Sequence, residues 1–124
     1  MIKLLIIGAG GFIGAILRYE VSGWAHKIFG SDFPYGTLSV NVIGSFLLGF
    51  FLVLADTKLI VPDVYKNLIA IGILGAFTTY STFSYETFSL LQLNLIKQAL
   101  LNIGLNVILG LLAIWIGMIS ARIL

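Results

Sequence analysis

Four apolar stretches, roughly Leu4–Ala25, Leu38–Ala55, Asn67–Leu93 and Ala99–Ile123, take up nearly the whole chain. Crossing the hydrocarbon core of a bilayer as a helix takes about 20 apolar residues, each rising about 1.5 Å. Every stretch reaches or approaches that length, and too little lies between them to form a soluble domain. Of the 124 residues only 10% are charged, whereas a soluble domain carries about 25%. The expectation is an all-α membrane protein with four transmembrane helices, forming a single domain over residues 1–124.

Charge and composition exclude several functions. Without cysteine there is no disulfide or thiolate chemistry. A formal net charge of +2 is too small to argue for nucleic acid. Met1-Ile2-Lys3 leads into a glycine-rich apolar segment with no clear cleavage site, so no cleavable leader is expected. Of the 7 Lys and Arg, the four Lys3, Lys58, Lys66 and Arg122 fall on one side of a four-helix arrangement. Arg18, Lys27 and Lys97 fall on the other. So even a split sets no single orientation. A chain that inserts both ways is able to pair with itself as an antiparallel dimer.

The third stretch is chemically the oddest. Gly72-Ile-Leu-Gly75-Ala-Phe-Thr78-Thr79-Tyr80-Ser81-Thr82-Phe83-Ser84-Tyr-Glu86 packs five hydroxyl residues and two aromatics between Thr78 and Ser84. Hydroxyls facing lipid at mid-depth would lack partners. Gly72 and Gly75 are weak helix formers that permit a break or a close approach. One reading is an interrupted helix whose freed backbone and hydroxyls line an ion site. The other is Ser and Thr bonding back to carbonyls one turn away, with the glycines serving helix packing.

Elsewhere, Gly8, Gly11 and Gly14 imitate a nucleotide-binding turn, but no alternating β/α pattern follows. Gly10 and Gly14 read better as a small-residue face for close helix contact. Arg18, near a helix end, either snorkels or places a fixed positive charge at the mouth of an anion path. A lone His26 makes no convincing metal site. Asn41 lies within an apolar run and serves either as interhelical glue or as an anion donor. Ser45 and Gly49 offer a second packing edge, and Gly104, Gly110 and Gly117 of the last stretch are expected to admit neighbours. Asn102 and Asn106 share a face one turn apart. Glu86 suggests a cap or an interfacial pairing. No nucleophile with a base, paired carboxylates or metal-ligand cluster is present, so no enzyme is expected.

Two stretches, Pro34-Tyr-Gly-Thr-Leu-Ser-Val-Asn41-Val-Ile-Gly44-Ser45-Phe-Leu-Leu-Gly49 and Gly72 to Glu86, give the chain its resemblance to the Fluc (CrcB) family of bacterial fluoride channels. Arg18 also falls where that family carries an arginine. The resemblance extends over essentially the full length. It implies an antiparallel, dual-topology homodimer in the bacterial inner membrane, with two fluoride pores and a central structural sodium ion. It further implies a third helix broken at mid-membrane, with backbone carbonyls at the positions of Gly75 and Thr78 holding the sodium. Asn41, Tyr80 and Phe83 match pore positions, and Ser81, Thr82 and Ser84 are candidates for a hydroxyl track. Two departures stand out. Tyr80 replaces the family's usual phenylalanine, and no Ser or Thr occurs along Ile103–Ile119, which leaves Asn102 and Asn106 on that side. The alternative among membrane proteins is a small dual-topology multidrug exporter. That reading wants a carboxylate embedded in the first helix, and Glu20 lies too late.

Overall fold

The structure, a computed structural model, describes residues 1–124. It is all-helical: α1 (Ile2–Phe29), α2 (Tyr35–Thr57), α3 (Asp63–Lys66), a π-helical stretch (Asn67–Leu74), α4 (Gly75–Phe77), α5 (Tyr80–Gln92) and α6 (Ile96–Ile123). Four spans result, because α3 through α5 act as one 30-residue segment, Asp63–Gln92. Each helix outruns its apolar stretch by a few residues. Polar ends such as Lys27 and Thr57 extend the helix without needing hydrocarbon.

The connections are short. Gly30 ends α1 at φ 96°, in the left-handed region where a Cβ is strained. Asn94, at φ 59°, makes the turn between α5 and α6. Lys66 Nζ pairs with Asp56 Oδ1 at 2.8 Å, tying the end of α2 to the start of the third span. Helix α2 runs through Thr57, and α3 starts at Asp63.

Close packing rests on glycine. α1 lies against the π-helical stretch and α4, while α2 lies chiefly against α6. A Cβ on Gly10 would come within 2.9 Å of the Gly72 Cα, and one on Gly14 would run into the Ile73 carbonyl. Across α2 and α6, a Cβ on Gly49 would strike the Ile114 carbonyl, and one on Gly117 the Phe46 carbonyl. In lipid, where apolar side chains gain little by leaving hydrocarbon, such backbone approach is a main source of helix association. The small-residue face of α1 is thus Gly10 and Gly14. Gly8 and Gly11 face open space, and the segment is helical throughout, which disposes of the nucleotide-binding imitation. In α6 only Gly117 admits a close neighbour. Nothing lies near Gly104, and Gly110 makes ordinary contact with Ser45.

Only 21 of 124 residues are buried within the subunit. The large outward apolar surface belongs to a multi-pass membrane protein.

Candidate functional site

The third span loses its helical path at two residues. Thr78 (φ −82°, ψ 159°) and Thr79 (φ −150°, ψ 117°) are extended, between α4 and α5. Unbroken, the Thr79 N–H would donate to the Gly75 carbonyl and the Thr82 N–H to the Thr78 carbonyl. Both donors are diverted. The Thr79 N–H donates to Asn41 Oδ1 at 2.8 Å, and Asn41 Nδ2 donates back to the Thr79 carbonyl at 3.1 Å. The Thr82 N–H donates to Thr79 Oγ1 at 3.3 Å, making Thr79 the N-cap of α5. The carbonyls of Gly75 and Thr78 are thereby left without their helical donors.

The glycines expected to permit the break do not make it. Gly75 keeps helical torsions (φ −63°, ψ −36°), and Gly72 is occupied by its contact with Gly10. The side chain of Asn41 reproduces a peptide's donor and acceptor, and α2 holds it where the Thr79 peptide turns out. Gly44, one turn further along α2, leaves room for Thr78: a Cβ there would overlap the Thr78 methyl.

Of the five hydroxyls, three have defined partners. Thr78 Oγ1 donates back to the Leu74 carbonyl at 3.2 Å, and Thr79 Oγ1 donates to Thr82 Oγ1 at 3.0 Å. Back-bonding and capping therefore occur side by side, on consecutive threonines.

From Asn41 a polar chain crosses the bundle. Its Nδ2 also donates to Asn106 Oδ1 at 3.0 Å. Asn106 Nδ2 donates to Asn102 Oδ1 (3.0 Å) and to the Asn102 carbonyl (2.9 Å). Asn102 Nδ2 donates to Thr87 Oγ1 (2.9 Å), which donates to the Phe83 carbonyl (2.8 Å). Sequence reading found the Asn102–Asn106 face but missed Thr79 and Thr87. Threonine is a favoured N-cap residue, which was the available signal for Thr79. Nothing local marked Thr87.

Three cavities border this chain. One of about 350 Å³ brings together Asn41, Gly75, Thr78, Tyr80, Phe83 and Asn106. A second, about 380 Å³, continues past Tyr80 and Phe83 to Ser84, Thr87 and Phe88. The two rings stand 5.8 Å apart at 52°, with Tyr80 on the outer surface of the subunit, 80% exposed. The third and largest, about 680 Å³, is a charged vestibule lined by Arg18, Glu20, His26, Lys27, Thr82 and Glu86. There Thr37 Oγ1 donates to Glu86 Oε1 at 2.7 Å, while Glu86 Oε2 is buried without a partner in the subunit. Arg18 and Thr82 thus sit apart from Asn41, in the vestibule, and Ser84 sits beyond the aromatics. Ser81 is exposed and lines none of the three.

Four apolar spans, linked by a part-buried chain of amide and hydroxyl hydrogen bonds, define a multi-pass helical membrane protein. Residues 5–118 match the family described as CrcB-like protein, Camphor Resistance (CrcB). The chain belongs to the CrcB family. It is 47% identical to "Fluoride-specific ion channel FluC 1" of Methanosarcina acetivorans, over 98% of this chain and 92% of that protein. It is 54% identical to "Fluoride-specific ion channel FluC" of Campylobacter lari, over 92% and 93% of the two chains. The relative of the same name from Sulfurihydrogenibium sp. is 45% identical and covers both chains completely.

Proposed function

We propose that the protein is a fluoride-selective passive channel, exporting fluoride across a bacterial inner membrane. The observation that carries this reading is the convergence of Asn41, Tyr80 and Phe83 on one cavity at the interruption of the third span. Fluoride is small and strongly hydrated, so a path for it must replace water by close donors. Amides, hydroxyls and the positive edges of aromatic rings do this without a full charge that would trap the ion. Arg18 and Lys27 place positive charge in the vestibule, offset by Glu20 and Glu86, so attraction of an anion there is local to the two cations. The names of the relatives support the same substrate.

The working unit in this reading is an antiparallel homodimer with two pores, its halves inserted in opposite orientations. Tyr80 and Gly75 support it, since both are exposed on the single subunit although they border the cavity. The break then lies at mid-membrane on the two-fold axis. The carbonyls of Gly75 and Thr78, released from helical bonding, have the right chemistry for a hard cation such as sodium. A sodium ion there would supply positive charge that neutralises facing carbonyl dipoles and holds the subunits together. The residues of this chain orient those carbonyls: Asn41 by engaging the Thr79 peptide, and Thr79 by capping α5.

The test is flux from liposomes containing the purified protein. Fluoride efflux well above chloride efflux, without a proton gradient, is the expected result. Transport of organic cations and none of fluoride would overturn the reading in favour of a drug exporter.

A further inference from the structure

Asn102 is 0% exposed and touches no cavity described above, yet its amide is engaged on both arms. Four side chains form a directional series of donors: Thr87 to the Phe83 carbonyl, Asn102 to Thr87, Asn106 to Asn102, and Asn41 to Asn106. Each link beyond Asn41 is reversible. A carboxamide has donors on one arm and an acceptor on the other, nearly equal in shape, so a turn of about 180° exchanges them. A hydroxyl both donates and accepts. In the reversed series Thr87 Oγ1 donates to Asn102 Oδ1, and Asn102 Nδ2 donates to Asn106 Oδ1. Asn106 Nδ2 then faces Asn41 Nδ2 at the cavity of about 350 Å³ that both residues line.

Two facing donors repel unless an acceptor lies between them. A small desolvated anion is such an acceptor. Reversal gives up the Thr87 bond to the Phe83 carbonyl and the Asn106 bond to the Asn102 carbonyl, and it leaves Asn106 Oδ1 beside that second carbonyl, two acceptors with no proton between them. It gains hydrogen bonds to a charge, which are roughly twice as strong as neutral ones.

We propose that Thr87, Asn102 and Asn106 form a reversible hydrogen-bond series that turns the Asn106 amide from acceptor to donor when a small anion enters beside Asn41. The inference rests on the fluoride-channel reading, with fluoride as that anion. Asn106 touches the ion. Asn102 and Thr87 are positioning residues that set which way its amide points.

The experiment is solid-state NMR of the full-length protein in liposomes, with its asparagine side chains labelled with nitrogen-15. Matched fluoride and chloride samples are compared, alongside fluoride flux for wild type, Thr87→Ser and Thr87→Val. Fluoride, and not chloride, should shift the Asn102 side-chain signal although Asn102 does not line the cavity. Thr87→Ser keeps the hydroxyl and should retain both shift and flux. Thr87→Val should lose the Asn102 shift and most of the flux. If Thr87→Val fails to fold, the wild-type and Thr87→Ser spectra decide alone. An Asn102 signal that fluoride leaves unmoved, in protein that conducts fluoride, overturns the reversal and leaves the channel reading standing. Protein that neither conducts fluoride nor shows the shift overturns both.

Discussion

The peptide of Thr79 is held at both ends by one side chain: its N–H donates to Asn41 Oδ1 at 2.8 Å, and Asn41 Nδ2 donates to its carbonyl at 3.1 Å. A residue of α2 therefore substitutes for the preceding turn of the third span. Asn41→Ala should lose three hydrogen bonds in all, at about 1 kcal/mol each. It should also leave the Thr79 peptide unpaired. Fluoride efflux from liposomes should fall by a large factor while elution on size exclusion stays that of wild type. Unchanged efflux would mean that Asn41 is only a strut.

The two aromatics should behave differently. Phe83 is half-buried and lines both cavities at the interruption, so Phe83→Ile should cut fluoride efflux strongly by removing a ring edge. Tyr80→Phe keeps the ring and removes only a phenol, so efflux should be equal or faster. Normal conduction by Phe83→Ile would show that ring edges take no part in permeation.

The glycine contacts predict opposite outcomes for two similar changes. Gly14→Val forces a side chain into the Ile73 carbonyl, and overpacking of this kind costs about 1–3 kcal/mol or more. Gly8→Val meets open space and should leave the thermal midpoint in detergent near that of wild type. Equal midpoints for the two variants would contradict the tight crossing of α1 and the third span.

Orientation gives a test that touches no pore residue. Adding two or three lysines around Thr57–Pro62 should bias insertion one way and lower channel activity in cells. A second copy, biased oppositely by lysines near Lys27 and Asn94, should restore it. Full activity from the first copy alone, inserted in one orientation, would rule out the antiparallel pair.

Much of this architecture is legible in the residues, because lipid imposes a strict rule on span length. The four spans follow from apolar run length, and the Gly10–Gly14 face follows from its spacing along one helix. Asn102 and Asn106 were visible as a pair for the same reason. Asn41 and Asn106 are 65 residues apart, and their bond depends on how α2 crosses α6, which no local spacing encodes. Thr79 escaped notice because its main contribution is a peptide group, which every residue possesses. The π-helical stretch Asn67–Leu74 carries no sequence mark that we can identify. The extended residues Thr78 and Thr79 lie just beyond the glycines because competition from an outside amide, and not backbone freedom, decides where the span opens.

Gly44 and Asn41, one turn apart on α2, grip the interruption from the same side: one makes room for the Thr78 methyl and the other binds the Thr79 peptide. An interrupted helix is usually where a membrane protein bends. This one is bolted to its neighbour at both extended residues, so tilting α5 relative to α4 would have to drag α2 along. The discontinuity is therefore coupled to α2 at both extended residues, through the Asn41 amide and the space that Gly44 leaves.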